Sequence, residues 1–150
     1  MTEEQVTKAV LNWLEKNGWK IICFDFPQSG TGVSLHPNEE IRTTKNRGAI
    51  IPDIVAIKGR SVVFFENKDR FVLDDFLKIK ELRKSSNYSN SIKKLLSGCN
   101  YEQIVYGVGL PITDDAEKKT MENLEKIDFA VFVSADKSIT VKHQITSVFP

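Results

Sequence analysis

The sequence has little of what marks several protein classes. Its 150 residues hold 2 cysteines, Cys23 and Cys99, with no C-x-x-C pair and no histidine beside either. A disulfide framework is thereby excluded. Both thiols are expected to be small buried groups in a reducing cytoplasm, with a single bridge between them left open. The 2 histidines stand apart, without the spacing of a metal-binding pair. His36 reads as a loop residue and His143 as a strand-end residue. Apolar runs such as Ile54–Ile57 and Val62–Phe65 are far too short to span a bilayer. The acidic, then amphipathic start is not expected to act as a secretory signal. There is no phosphate-loop signature, internal repeat or low-complexity tract. Net charge is also scarce, at +1, so no global argument for nucleic acid follows.

What is present suffices for one globular domain with its own core: 41% of the residues are hydrophobic and 27% charged. The charge is uneven. Six cations (Lys78, Lys80, Arg83, Lys84, Lys93, Lys94) face one anion, Glu81, between positions 78 and 94. Seven anions and three cations follow between 101 and 130. Such asymmetry fits either a basic face turned to an anionic partner or two ordinary solvated helices.

Thr2 and Gln5 form a capping box, and Val6, Val10, Trp13 and Leu14 recur at helical spacing, so a helix is expected over 3–16. Asn17-Gly18 stops it, and 19–26 reads as a strand. Residues 27–50 form a long punctuated loop carrying Arg42, Lys45 and Arg47. Two apolar strands, 51–58 and 61–67, meet at a Gly59-Arg60 turn and are expected in the middle of a sheet. Helices follow at 72–84 and 89–96, a strand at 103–108, a helix from 113 or 114 to 126, and strands at 129–134 and 138–142. Trp13 and Trp19 are expected in the core, and Asp114-Asp115 at a helix N-terminus.

The chemistry concentrates at the open end of the central hairpin. Pairing about Gly59-Arg60 sets Asp53 opposite Glu66. Glu66 and Lys68 are two apart and share a face, with Asn67 turned away. Two carboxylates brought together repel unless a cation neutralises them. A hard divalent ion does so, since Mg²⁺ is typically held by one or two carboxylates together with substrate phosphate. Lys68 is then placed to hold an attacking water or the phosphate in the transition state.

Pro52-Asp53, twelve residues, then Glu66-Asn67-Lys68 resembles the PD-(D/E)xK nuclease superfamily, the restriction-endonuclease-like fold. The resemblance covers residues 3 to about 108. It implies an α/β fold, a mixed β-sheet flanked by helices in the order αβββαβ, here with an added αββ. It implies Asp53 and Glu66 as metal ligands, the Asn67 backbone carbonyl completing the shell, and Lys68 as the catalytic lysine. It also implies a glutamate from the first helix, for which Glu3 shares the face of Val6, Val10 and Trp13. The cofactor implied is Mg²⁺, with Mn²⁺ as a substitute. The basic helix would lie along DNA through Lys78, Lys80, Arg83 and Lys84, and the long loop would offer Arg42, Lys45 and Arg47. The polar break at 85–91 would either reach bases or sugars or serve as a solvated connection.

The function expected is a Mg²⁺-dependent DNA endonuclease of restriction or defence type, or its cleavage subunit. Cutting both strands calls for a homodimer or a larger recognition subunit. The alternatives are a repair or junction-resolving nuclease, a non-catalytic nucleic-acid-binding module of the same fold, and an interaction domain whose carboxylates merely pair with Lys68 and Arg60.

Overall fold

A computed structural model of the chain describes residues 1–38 and 48–150. Helix α1 (Glu3–Lys16) carries the expected capping box: the Gln5 amide donates to Thr2 Oγ1 at 3.1 Å and the Thr2 amide to Gln5 Oε1 at 2.8 Å. Strands β1 (Lys20–Phe24), β2 (Ile54–Lys58) and β3 (Ser61–Asn67) form an antiparallel meander. Helices α2 (Leu73–Lys84) and α3 (Ser89–Leu95) lead to β4 (Gln103–Pro111), and α4 (Asp114–Met121) and a 3₁₀ turn lead to β5 (Phe129–Val133). Strand β6 (Ile139–Gln144) closes the order.

The six strands lie side by side in sequence order. β3, β4 and β5 are mutually parallel, and β6 returns antiparallel to β5. A mixed, open sheet with helices on both faces follows, in the αβββαβ order with added αββ. The apolar hairpin β2–β3 occupies interior positions, because both faces of its strands are covered.

Strand alternation divides the core in two. Ala56, Val63, Phe65, Val105 and Val131 face α1, where Val6, Val10 and Leu14 meet them. Val55, Val62, Phe64, Tyr106 and Phe132 face the other way, onto Phe76, Ile79 and Leu82 of α2 and Ile92 of α3. Phe149 closes the α1 side, with ring centroids 5.1 Å from Trp13 and 5.6 Å from Trp19.

Several boundaries differ from expectation for physical reasons. β2 begins at Ile54, although the ladder already includes Asp53, whose amide donates to the Phe65 carbonyl at 3.0 Å. β4 runs on to Pro111 because β5 pairs with its far end, Pro111 opposite Val133. The helix expected to reach 126 stops at Met121 and resumes as a single 3₁₀ turn, Leu124–Lys126. Residues after 108 therefore complete the sheet. Both cysteines are free, and burial, aided by the charge of Asp25, pushes the Cys23 thiol up to about 11. Among the described residues no helix is long and apolar enough to cross a membrane.

Candidate functional site

The site forms where β2 begins and β3 ends. Ile54 pairs with Phe65, so the next register step sets Asp53 beside Glu66. The Asp53 backbone is pinned on both sides: its carbonyl accepts from the Asp25 amide of the chain leaving β1 at 2.8 Å. Alternation along β3 aims Glu66 to the α2 face, below Val62 and Phe64, and Asn67 to the α1 face. Asp53 and Glu66 are 7% and 5% exposed, at the mouth of an otherwise apolar wall.

The Asn67 amide donates to Asp53 Oδ2 at 2.6 Å, fixing one carboxylate oxygen. The Asn67 side chain is fully buried and donates to Thr7 Oγ1 of α1 at 3.3 Å. Gly109 on β4 makes room for it, since a Cβ there would run into Asn67 Oδ1. The middle residue of the Glu66-Asn67-Lys68 triplet thus locks α1 onto the sheet. That lock helps bring Glu3, one turn before Thr7, within 3.4 Å of Lys68 Nζ.

Helix α2 supplies two more charges. Lys78 Nζ lies 3.0 Å from Glu66 Oε1 and 3.9 Å from Asp75 Oδ1. Asp75 is 7% exposed, and its Oδ2 is buried without a hydrogen-bond partner. Four carboxylates (Glu3, Asp53, Glu66, Asp75) and two lysines (Lys68, Lys78) therefore share one corner of the fold.

The electrostatics follow from this crowding. Burial, reinforced by the charge of Glu66 and opposed by the Asn67 amide, pushes Asp53 up to about 8. Burial likewise raises Glu66, but Lys78 offsets part of it, leaving it at about 7. Burial also raises Asp75, against the pull of Lys68 and Lys78. For Lys68, burial opposes the charged form, but Asp75, Glu3 and Glu66 outweigh it and raise its pKa. For Lys78, Glu66, Asp75 and Asp53 outweigh burial in the same way. Asp53, Glu66 and Asp75 each resist ionising unless more positive charge arrives.

That is the condition a divalent cation meets. Two adjacent carboxylates and a strand-end carbonyl are hard oxygen donors, and Mg²⁺ is commonly held by one or two carboxylates with the rest of its shell left to water and phosphate. Among the described residues no group of three or more Asp, Glu, His or Cys is placed to hold a metal ion, so at most two side-chain carboxylates would contribute. The donor set fits a partly open Mg²⁺ or Mn²⁺ position.

The basic helix is arranged differently from the single cationic face expected. Residues two apart on a helix diverge by about 160°, so Lys78 and Lys80 cannot point the same way. Lys80 and Lys84 are exposed and line an outer groove with Leu77, Glu81 and Ser85. Arg83 is an internal strut: Nε lies 2.8 Å from Asp128 Oδ1, and Nη1 donates to the Glu125 carbonyl at 2.9 Å. Arg42, Lys45 and Arg47 lie outside the described residues. In the polar break at 85–91 Tyr88 is buried and Ser91 half-buried, while Ser86, Asn87 and Asn90 stay exposed. Tyr88 Oη donates to the Gly48 carbonyl at 2.7 Å, and Ser91 Oγ both accepts from the His36 amide and donates to its carbonyl. Arg60, at the far end of the hairpin, pairs with Glu102 and not with the carboxylates of the site.

Asp75 escaped the sequence reading, although a signal existed. With 100° per residue, positions 75, 79 and 82 form one narrow arc, and Asp75 sits among buried apolar residues.

No family model and no curated protein matches the sequence. Among solved structures, the crystal structure of an XisH family protein from Nostoc punctiforme is similar, with a TM-score of 0.42 and 16% identity. The likeness covers 91% of this chain and 96% of that one. At that distance the site is read from its own residues.

Proposed function

We propose that this chain is a metal-dependent nuclease that hydrolyses phosphodiester bonds in DNA. It acts as a restriction or defence enzyme or as the cleavage subunit of one. The observation that carries the reading is the buried Asp53–Glu66 pair at the end of an apolar hairpin, with Lys68 and Glu3 closing on the same corner. A buried carboxylate pair that neighbouring lysines offset only in part is costly to a fold and suits a cation-assisted reaction.

In this reading Asp53, Glu66 and the Asn67 carbonyl hold Mg²⁺. When bound, the ion stabilises charge on phosphate oxygens and makes water easier to deprotonate. The Asn67 amide keeps Asp53 oriented. Glu3 holds the Lys68 ammonium at the edge of the centre, where it can position the attacking water or a phosphate oxygen. The water oxygen forms a bond to phosphorus in line with the bridging oxygen that leaves. The water's proton passes to solvent, and the departing oxygen takes one up. The exposed Lys80 and Lys84 are surface cations available to a DNA backbone. Cleaving both strands needs two such centres, supplied by a second copy or by a larger recognition subunit.

The test is a cleavage assay on plasmid, linear duplex, single-stranded DNA and RNA, with Mg²⁺, Mn²⁺ or EDTA. Asp53→Asn and Lys68→Ala serve as controls. Metal-dependent cutting of DNA that both substitutions abolish is expected. Cutting that persists in EDTA, or in Asp53→Asn, contradicts the reading.

A further inference from the structure

The ammonium within ion-pair distance of Glu66 is not the one in the Glu66-Asn67-Lys68 triplet. Lys68 Nζ leans to Glu3 Oε1, 3.4 Å away. Lys78, ten residues further on, crosses from α2 to lie 3.0 Å from Glu66 Oε1. Its charge also reaches Asp53. Lys78 therefore stands against the paired carboxylates themselves.

Three features show more than a counter-ion. The Lys78 side chain is 33% exposed while Glu66 is 6%, so the ammonium touches a buried oxygen and still opens to solvent at the mouth of the site. An ammonium has three donors. One is used on Glu66, and the 3.9 Å separation from Asp75 is too long to use a second. Asp75 itself is an odd occupant of a helix's inner arc. Its side chain is nine-tenths buried, one oxygen faces Lys78 weakly, and the other has no partner. A buried carboxylate left this incomplete is destabilising, and such a group calls for a reason beyond packing. Three residues before Lys78, on the same side of α2, it attracts the same ammonium that Glu66 holds.

We infer that Lys78 is a further catalytic residue of this centre, donating to a non-bridging oxygen of the phosphate being cut, and that Asp75 is its positioning residue. This rests on the nuclease reading above. Lys78 then stabilises charge that grows as phosphorus is attacked, while Lys68, tied to Glu3, attends the other edge of the same centre.

The experiment compares kcat and KM for the wild type, Lys78→Gln, Lys78→Arg and Asp75→Asn at saturating Mg²⁺. Lys118→Gln on the exposed side of α4 is the control. Mn²⁺ binding by calorimetry and thermal unfolding are measured on each. Lys78→Gln is expected to lower kcat about 100-fold with KM little changed, the pattern of a contact made in the transition state. Its Mn²⁺ affinity should hold or improve, because a competing cation has left Glu66. Lys78→Arg should recover to within about tenfold, and Asp75→Asn should lose about fivefold to tenfold in kcat, an indirect effect smaller than that of the contact itself. Lys118→Gln should match the wild type. A folded Lys78→Gln that cuts within threefold of the wild type, or one that loses Mn²⁺ binding, overturns the inference while leaving the nuclease reading in place. If Lys78→Gln fails to fold, an Asp75→Asn variant with wild-type kcat overturns it instead. A wild type that cuts nothing removes the nuclease reading and this inference with it.

Discussion

The two ends of the β2–β3 hairpin share the same strands and treat charge in opposite ways. At the turn, Gly59 takes a left-handed φ of 59°, Arg60 is exposed, and the exposed Lys58 donates to the Asn17 carbonyl at 2.7 Å. Arg60 pairs there with Glu102, with both side chains more than 60% exposed. At the other end Asp53 and Glu66 are buried, and the charges that answer them come from α1 and α2. Solvent screens the first set almost completely. The second set has no such screen, so each charge there alters its neighbours' protonation. Covering one end of a hairpin with two helix N-terminal turns turns similar residue types from surface groups into a buried, mutually coupled cluster.

The largest effect expected from breaking this contrast is on chemistry. Asp53→Asn keeps an oxygen for the Asn67 amide but removes the charge. It should lower the cleavage rate by about 1,000-fold or more, the scale of losing a metal-assisted route. The same variant should raise the melting temperature of the metal-free protein at pH 8 by about 3–6 °C, an increment on the order of 1–2 kcal/mol for relieving a buried charge. Circular dichroism melts in EDTA check this, and a lowered midpoint would count against an unfavourable pair.

The pH dependence comes next. Asp53 and Glu66 have folded pKa values above their unfolded ones, so the folded state holds more protons than the unfolded state between them. Their contribution to stability is fully present below the ordinary carboxylate range. It is lost as pH rises through about 7 for Glu66 and about 8 for Asp53. Urea unfolding in EDTA should therefore show stability falling over that window, with a smaller fall in Asp53→Asn.

A moderate effect is expected one strand away. Gly109→Ala puts a methyl group into Asn67 Oδ1, an overpacking worth about 1–3 kcal/mol. Because Asn67 also orients Asp53 and braces α1, the rate should fall together with stability. The smallest effect belongs to the turn. Arg60→Ala should change stability by less than about 0.5 kcal/mol and leave the rate alone, as for exposed pairs generally. A larger change would show that the two ends are less separate than their burial implies.

The sequence disclosed these regions unequally. Alternation and a two-residue turn dictate strand register, so the placement of Asp53 beside Glu66, and of Asn67 on the opposite face, could be read directly. Glu3 was reachable too, because its face on α1 is set by Val6 and Val10. The path of Lys78 was not. Its destination depends on how α2 docks on the sheet through Phe76, Ile79 and Leu82, a tertiary choice that no local pattern encodes. Grouping it with Lys80 and Lys84 by composition also overlooked the helical angle between them. Arg83 met its partner Asp128 from 45 residues away, and the polar stretch at 85–91 found His36 and Gly48, contacts equally invisible in a local window. Arg42, Lys45 and Arg47 lie outside the described residues.

The central claim is that Asp53 and Glu66 form a divalent-cation centre, and calorimetric titration with Mn²⁺ tests it without needing to know the substrate. At pH 7.5 the wild type should bind Mn²⁺ with release of protons, since the two raised carboxylates must ionise. Asp53→Asn should bind at least about tenfold more weakly. Equal binding by the two proteins, or no binding by a folded wild type, would contradict the account.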